Sequence, residues 1–319
     1  MINTVHQNKA FGFVVLHYLA YGMTRRCVDV LLSTFKDEPI MIVVVDNASP
    51  DGSGVKLEED YAESSNVTVL RNSSNLGFAR GNNEGYNYLL KEGECGFIAV
   101  INNDVLIQDS GFISRVSAVY SETGFAVLGP DIVNPSDGRH QNPAHLEGFT
   151  REELTALRDK LTDDLDHFRW KRFKWNIKCR FFPFLIRRKA AETPPVLERR
   201  EGVVLHGACY VFSPLFLSAR RECFNPSTFL YLEEDILHFE CMRDGLKMLY
   251  EPSLQVLHLE DVSSREAFGS KDAIDAFKFK ESLKSIEVLL ALMEGNKKEQ
   301  DKGVEPSSLA WEANALPMC

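Results

Sequence analysis

Ile40 to Ser53 reads IMIVVVDNASPDGS, and this stretch decides the fold. Ile42, Val43, Val44 and Val45 are consecutive β-branched residues with no polar alternation, the pattern of a strand covered on both faces. Such strands belong to parallel or mostly parallel sheets. Asp46 and Asn47 end the run, and Ser49, Pro50, Asp51, Gly52 and Ser53 are turn formers that lead into a helix start. A buried strand that turns through a carboxylate into a helix is half of a βαβ unit.

Working outward, strand-length apolar runs at residues 13–18, 40–45, 67–70, 97–101 and 125–128 alternate with helical patterns near 24–35, 55–63, 83–91 and 111–122. That alternation predicts an α/β fold with a mostly parallel central sheet flanked by helices. Residues 138–200 break the pattern with charged and aromatic sequence and read as an insert. Strand-like sequence resumes at 202–212, a helix follows Glu234, a strand covers 247–250 and a long helix runs from about 271 to 293. The division expected is one domain over 11–293, with halves 11–135 and 202–293 either side of the insert, and a flexible tail at 294–319.

The net charge of −10 excludes a global cationic field that would draw the chain to nucleic acid. Its seven cysteines are widely spaced and lie mostly in apolar runs, so they read as reduced core thiols of a cytoplasmic protein. No run reaches the roughly 18 apolar residues of a membrane span. Residues 11–22 are the one stretch resembling a signal h-region, but His17 interrupts it and no small-residue cleavage site follows, so it reads as the first strand and export is not expected.

In an open parallel sheet, ligands bind at the carboxyl ends of the strands, which makes the polar residues there the candidates. Asp46 is the sharpest, because a carboxylate directly after buried apolar residues needs a polar partner; an Asx turn with a helix N-cap is the other reading of Asp46 to Ser53. The strand at 97–101 ends in Asn102, Asn103 and Asp104. Mg²⁺ and Mn²⁺ take oxygen ligands, often one or two carboxylates with substrate phosphate oxygens, so Asp104 is a candidate ligand and Asn102 a neutral one; a capped turn is again the alternative. Between them lies NLGFARGNNEG, from Asn75 to Gly85. Gly77 and Gly81 permit close backbone approach and Arg80 can address phosphate, but the spacing matches neither a P-loop nor a dinucleotide fingerprint.

Taken in order, VVVDNASPDGS, NLGFARGNNEG and INNDV resemble glycosyltransferase family 2, in particular its rhamnosyltransferase-like branch, over roughly residues 13–134 and again over about 203–290. The resemblance implies a GT-A fold with a Rossmann-like nucleotide-binding half and an acceptor-binding half. A nucleotide-diphosphate sugar would lie across the strand ends, with Asp46 near the nucleobase and Asn47, Asn75, Gly77, Arg80, Asn102 and Asn103 lining the donor. Asp104 would stand where the family's DxD aspartate binds a divalent metal, Mn or Mg. His206 to Phe212 is similar to the strand lining the acceptor side, and FLYLEED, Phe229 to Asp235, to the element that carries the general base. Glu233 and Glu234 align most simply with the family's acidic pair, so Glu234 is expected to be the base, with Asp235 the alternative. Acids at a helix start also have an electrostatic explanation, worth about 0.3–1 kcal/mol each. His258 is similar to a late histidine that helps hold the metal or diphosphate, and a structural histidine is its other reading.

The implied activity is inverting transfer of a hexose or rhamnose to a hydroxyl of a glycan or polyprenyl-linked acceptor in cell-envelope polysaccharide synthesis. A non-catalytic nucleotide-sugar-binding protein and a sugar-nucleotide nucleotidyltransferase are the competing functions; the latter lacks its Gly-rich basic loop after the first strand. Residues 169–189 hold nine Lys or Arg, six aromatics and no acid. Trp170, Phe173, Ile177 and Phe181 follow helical spacing, which points to a helix at the inner membrane face, to a lid over the site or, least, to nucleic acid.

Overall fold

The computed structural model describes residues 9–167, 195–260 and 271–301, with backbone alone at 271–272 and 298–301. Its strands are β1 (Ala10–His17), β2 (Ile40–Asp46), β3 (Val67–Arg71), β4 (Cys95–Asn102), β5 (Val105–Leu106), β6 (Val127–Val133), β7 (Arg200–Glu201), β8 (Cys209–Phe212) and β9 (Met248–His258). They form one sheet in the order β3-β2-β1-β4-β8-β6-β9-β5, with β7 on β9. β1 to β4, β6 and β9 share one direction, while β8, β5 and β7 run against it. The mostly parallel α/β sheet expected from the sequence is therefore present, with β8 inserted antiparallel between β4 and β6.

Helices cover both faces. They are α1 (Tyr21–Thr34), α2 (Ser53–Asp60), α3 (Gly77–Glu92), α4 (Phe112–Thr123), α5 (Arg151–Asp166), α6 (Pro214–Ala219), α7 (Glu233–Arg243) and α8 (Lys271–Asp301). Because strand side chains alternate, Phe13, Val15, Ile42 and Val44 pack beneath Cys27, Leu31, Leu57 and Phe112 on one face. Val14, Val43, Val45 and Val100 meet Ala79, Tyr86, Leu89 and Leu237 on the other. The unbroken apolar run of β2 is thus explained: each of its side chains has a helix to lie under. Fully burying one such aliphatic group is worth about 1.5–3 kcal/mol.

Besides β6 and β9, which run on to Val133 and His258 past the ends expected at 128 and 250, three elements differ from the sequence expectation in ways that bear on packing. α3 begins at Gly77, six residues before the expected start at 83, because packing overrides the helix penalty of Gly81 and Gly85. A Cβ on Gly85 would lie 2.6 Å from Val14 Cγ1 and 2.9 Å from Val45 Cγ2, so the missing side chain lets the helix sit down on β1 and β2. Of the strand expected at 202–212 only Cys209–Phe212 forms, and the short strand Arg200–Glu201 lies just before that range. The last helix passes 293 and ends at Asp301, so the expected tail begins in helix.

Within 138–200, the described part contains α5, started by a capping box in which the Thr150 side chain accepts from Glu153 N–H and the Glu153 side chain returns to Thr150. Leu154 of α5 is buried with Ile236 of α7 and Ile286, Leu289 and Leu290 of α8. Arg151 pairs with Glu294 and Arg158 with Glu287 across the α5–α8 contact. The basic aromatic stretch 169–189 lies outside the described residues.

Since the α3 packing rests on a missing Cβ, Gly85→Val is expected to destabilise the fold by about 1–3 kcal/mol through overpacking. Gly22→Ala, which meets no atom within 4 Å, is expected to be neutral or slightly stabilising. Urea unfolding of both variants checks the contrast, and an unaffected Gly85→Val would remove the close-packing argument.

Candidate active site

The parallel strands deliver their last residues to one edge of the sheet. His17 ends β1, Asp46 ends β2, Asn102 ends β4 and His258 ends β9, with His17 beside Asp46 and Leu16 beside Asn102 in the register. All five non-glycine residues with left-handed backbone among the described residues lie in the loops of this region: Leu19, Ala48, Tyr231, Leu232 and Glu260. Such conformations are held only where surrounding contacts over-determine them, and they cluster at functional sites.

The β2 corner is built round Asp46. Its carboxylate is buried, and Oδ1 accepts from the Ser49 N–H at 3.0 Å. A Cβ on Gly54 would fall 1.9 Å from Oδ2, so the start of α2 closes over the acid only because residue 54 is glycine. Asn47 is consumed by structure. Its Nδ2 donates to Asn75 Oδ1 and to the Gly77 carbonyl, both at 2.9 Å, and its Oδ1 accepts from Leu76 N–H and Asn72 Nδ2. This amide therefore ties the 72–77 loop to β2, whereas Asn75 and Arg80 remain exposed.

The glycines of NLGFARGNNEG allow close approaches within the protein. Gly77 has φ +80°, and a Cβ there would lie 2.3 Å from the Phe229 carbonyl oxygen, which accepts from Phe78 N–H at 2.7 Å. Arg80 Nε donates to the Pro226 carbonyl at 2.6 Å. Asn83 Oδ1 accepts from the Cys223 and Phe224 N–H groups, and its Nδ2 donates to the Phe224 carbonyl. The first turns of α3 thus clamp the loop that leads into α7.

His17, which in the sequence only interrupts an apolar run, is the hub of a buried chain. Its Nδ1 lies 2.7 Å from Thr24 Oγ1, which also accepts from Asn103 Nδ2, and its Nε2 lies 2.8 Å from Ser53 Oγ. Ser53 Oγ in turn donates to Asp51. Burial holds the His17 pKa below its ordinary value, against the charges of Asp46 and Asp51, so a neutral ring joins the β1, β2 and β4 corners. Asn103 is thereby tied to the start of α1.

Asp104 lies at the other side of β4. Its carbonyl accepts from Leu259 N–H, and its Oδ1 is 3.2 Å from His258 Nε2, with both side chains buried. His258 Nδ1 lies 2.7 Å from Gln141 Oε1. No group of three or more His, Cys, Asp or Glu converges among the described residues. One carboxylate and one imidazole nitrogen side by side nevertheless fit a divalent cation that takes its remaining ligands from substrate phosphate and water, and the imidazole suits Mn²⁺ better than Mg²⁺.

The acids at the start of α7 follow the two left-handed residues Tyr231 and Leu232. Glu233 and Asp235 are buried, each with one carboxylate oxygen lacking a hydrogen bond. Burial and the charge of Glu234 raise Glu233 to about 8 and Asp235 to about 7. Glu234 is less enclosed; burial raises it too, opposed by His145 and Lys278. The nearest atom to a Cβ built on Gly207 is Glu234 Oε2, at 3.8 Å. Residues 206–208 therefore bridge the site. The His206 ring is 5.7 Å from that of His258, Gly207 faces Glu234, and the Ala208 carbonyl accepts from Asn102 N–H. The Asp104–His258 pair thus stands by His206 and Glu234 by the adjacent Gly207, while Asp46 stands on β2, with β1 between it and β4.

The family model described as Glycosyl transferase family 2 matches residues 13–180. No curated protein matches the chain in sequence. Among solved structures, GalNAc-T7 with UDP, GalNAc and Mn²⁺ aligns with TM-score 0.53 and 13% identity, over 93% of this chain and 57% of that one. The S. aureus TarS fragment 1–349 aligns with TM-score 0.48 and 14% identity, over 81% of this chain and 62% of that one. At these identities the likeness to GalNAc-T7 concerns the fold alone, and the chain spans less than two thirds of either structure.

The buried acids set a pH dependence. Glu233 binds its proton more tightly folded than unfolded, so its contribution to stability is full below the unfolded value of 4.5 and is lost as pH rises through about 8. Glu233→Gln should therefore gain stability over the parent as pH rises through that window, by roughly 1.4 kcal/mol for each pH unit crossed between the two values. Urea unfolding near pH 5 and pH 8.5 reads the difference; a gain independent of pH would contradict the assignment.

Proposed function

As a member of glycosyltransferase family 2, to which the match over more than half of its length assigns it, the chain is, we propose, an inverting, metal-dependent glycosyltransferase that uses a nucleotide-diphosphate sugar. The observation that carries the reading is that two adjacent residues at the carboxyl edge of the sheet, His206 and Gly207, have the His258–Asp104 pair beside the one and Glu234 beside the other.

Asp46 and its loop would receive the nucleobase, with the exposed Asn75 and Arg80 and the half-buried Asn102 toward the donor. Glu234 is the base of choice among the three acids, because it is the least enclosed and faces the Gly207 backbone. It takes the proton of the acceptor hydroxyl while that oxygen attacks the anomeric carbon from the face opposite the nucleoside diphosphate, which leaves with inversion. A carboxylate whose proton affinity is raised by burial is a stronger base near neutral pH than a solvated one. Burial and the charge of Glu234 raise Glu233 and Asp235 as well, which keeps the local negative charge low. Asp104 and His258 would hold the divalent cation, which when bound neutralises charge building on the departing diphosphate.

The rhamnosyltransferase-like motifs and the basic aromatic stretch support a hexose or rhamnose donor and a glycan or polyprenyl-linked acceptor in cell-envelope polysaccharide synthesis, reached from the cytoplasmic face. No helix among the described residues is long and apolar enough to cross a membrane, so the proposed membrane association is peripheral, through residues 169–189.

Glu234→Gln keeps the size of the side chain but cannot take a proton. Transfer from a screened panel of nucleotide sugars should fall by about 10²–10⁴ with donor affinity near the parent value. If Asp235→Asn alone shows that loss, the base is Asp235; if the parent chain turns over no nucleotide sugar, the chain is a binding protein. Separately, replacing Arg169, Lys171, Arg172 and Lys174 by Ser should release the chain from anionic liposomes in sedimentation, since each engaged cation is worth about 1 kcal/mol. Retained binding would exclude the interfacial helix.

A further inference from the structure

The ring of His258 is aimed by a hydrogen-bond chain that can be read in only one direction. Glu260 is a carboxylate and has no hydrogen to donate. It accepts from Asn134 Nδ2 and Arg139 Nη2, each at 2.8 Å, and from Gln141 Nε2. The Gln141 amide is thereby oriented, nitrogen toward Glu260 and oxygen toward His258. An amide oxygen only accepts, so the hydrogen of the 2.7 Å contact between Gln141 Oε1 and His258 Nδ1 belongs to the ring. The neutral ring then carries its one hydrogen on Nδ1 and presents a bare lone pair at Nε2, the atom 3.2 Å from Asp104 Oδ1.

The reversed arrangement explains why Glu260 matters. With the amide turned over, its NH₂ would face Nδ1, the ring hydrogen would move to Nε2, and His258 would donate it to Asp104. The pair would then satisfy itself and offer no nitrogen to a cation. Turning the amide over would also set its oxygen against the Glu260 carboxylate, two acceptors at hydrogen-bond distance. Glu260 is itself fixed, in left-handed backbone directly after Leu259, whose N–H is held by the Asp104 carbonyl. The neighbouring His206 is set the opposite way: its Nδ1 accepts from Ala208 N–H at 3.1 Å, which leaves the hydrogen on Nε2.

We infer that Gln141, oriented by Glu260, is a positioning residue that holds His258 in the Nδ1–H form, so that Nε2 and Asp104 together face a divalent cation. The inference rests on the metal site proposed above. Partners of this kind that set a histidine's tautomer are worth about 10–100-fold in metal affinity.

The test is Mn²⁺ affinity of the full chain, with UDP as the nucleotide probe, followed by the electron paramagnetic resonance signal of free Mn²⁺. Gln141→Met removes the acceptor and should weaken Mn²⁺ by about 10–100-fold. Gln141→Glu combined with Glu260→Gln exchanges amide and carboxylate, so residue 141 still accepts from Nδ1–H and residue 260 now donates to it; affinity should return near the parent value. Asp104→Ala should abolish binding. If Asp104→Ala loses Mn²⁺ while Gln141→Met keeps it, or if the exchange fails to restore what Gln141→Met loses, the positioning role is wrong and the metal site stands. If the parent chain itself binds no Mn²⁺ with UDP, the metal site and the inference fall together.

Discussion

The carbonyl oxygen of Phe229 occupies the space that a side chain on residue 77 would need, and the arrangement of the site depends on that contact. Through it, and through Arg80 and Asn83, the first turns of α3 hold the loop that sets the start of α7. Asn47 pins the same turn to the end of β2. The Asp46 corner at the end of β2 and the helix that carries the acids are therefore positioned by one short segment. A glycine is required there twice over, by the positive φ and by the approach of another backbone.

Burial explains the chemistry of the edge. Carboxylates set in apolar surroundings keep their protons to higher pH, and a histidine in the same surroundings loses its proton more readily. The three acids of α7 and His17 show both effects a few strands apart. The five left-handed non-glycine residues of the corner loops add backbone strain of order 1–3 kcal/mol each. These costs are met by the two apolar layers beneath, where β2 alone buries Ile42, Val43, Val44 and Val45. A rigid sheet with a strained, polar edge is the division of labour expected when function sits in loops and stability sits below them.

Hydrogen-bond polarity does for the histidines what burial does for the acids. The three rings at the edge are held by different partners: a hydroxyl on each side of His17, a backbone N–H on His206, an amide oxygen on His258. A donating N–H or an accepting amide oxygen decides where the ring carries its hydrogen, and so whether it can donate or bind a cation, whereas a hydroxyl can serve either way. Residue type alone does not distinguish these roles.

Local sequence was enough for the parallel half of the sheet, because the apolar run of β2 and its polar stop are consecutive residues whose pattern has one good structural solution. The placement of Asp46, Asp104 and His258 at strand ends follows from the same pattern, and so do the acids at the helix start. The early beginning of α3, the antiparallel insertion of β8 and the work of Asn47 and Asn83 could not be seen, because local propensity argues against glycine in a helix and says nothing of distant carbonyls. In the sequence His17 only interrupts an apolar run, and nothing local singles out Gln141 or Glu260. Their partners lie 36, 117 and 119 positions away along the chain. Contacts over such separations are created by the packing of the sheet, so tertiary structure alone decided which polar residues hold one another in place and which stay open at its edge.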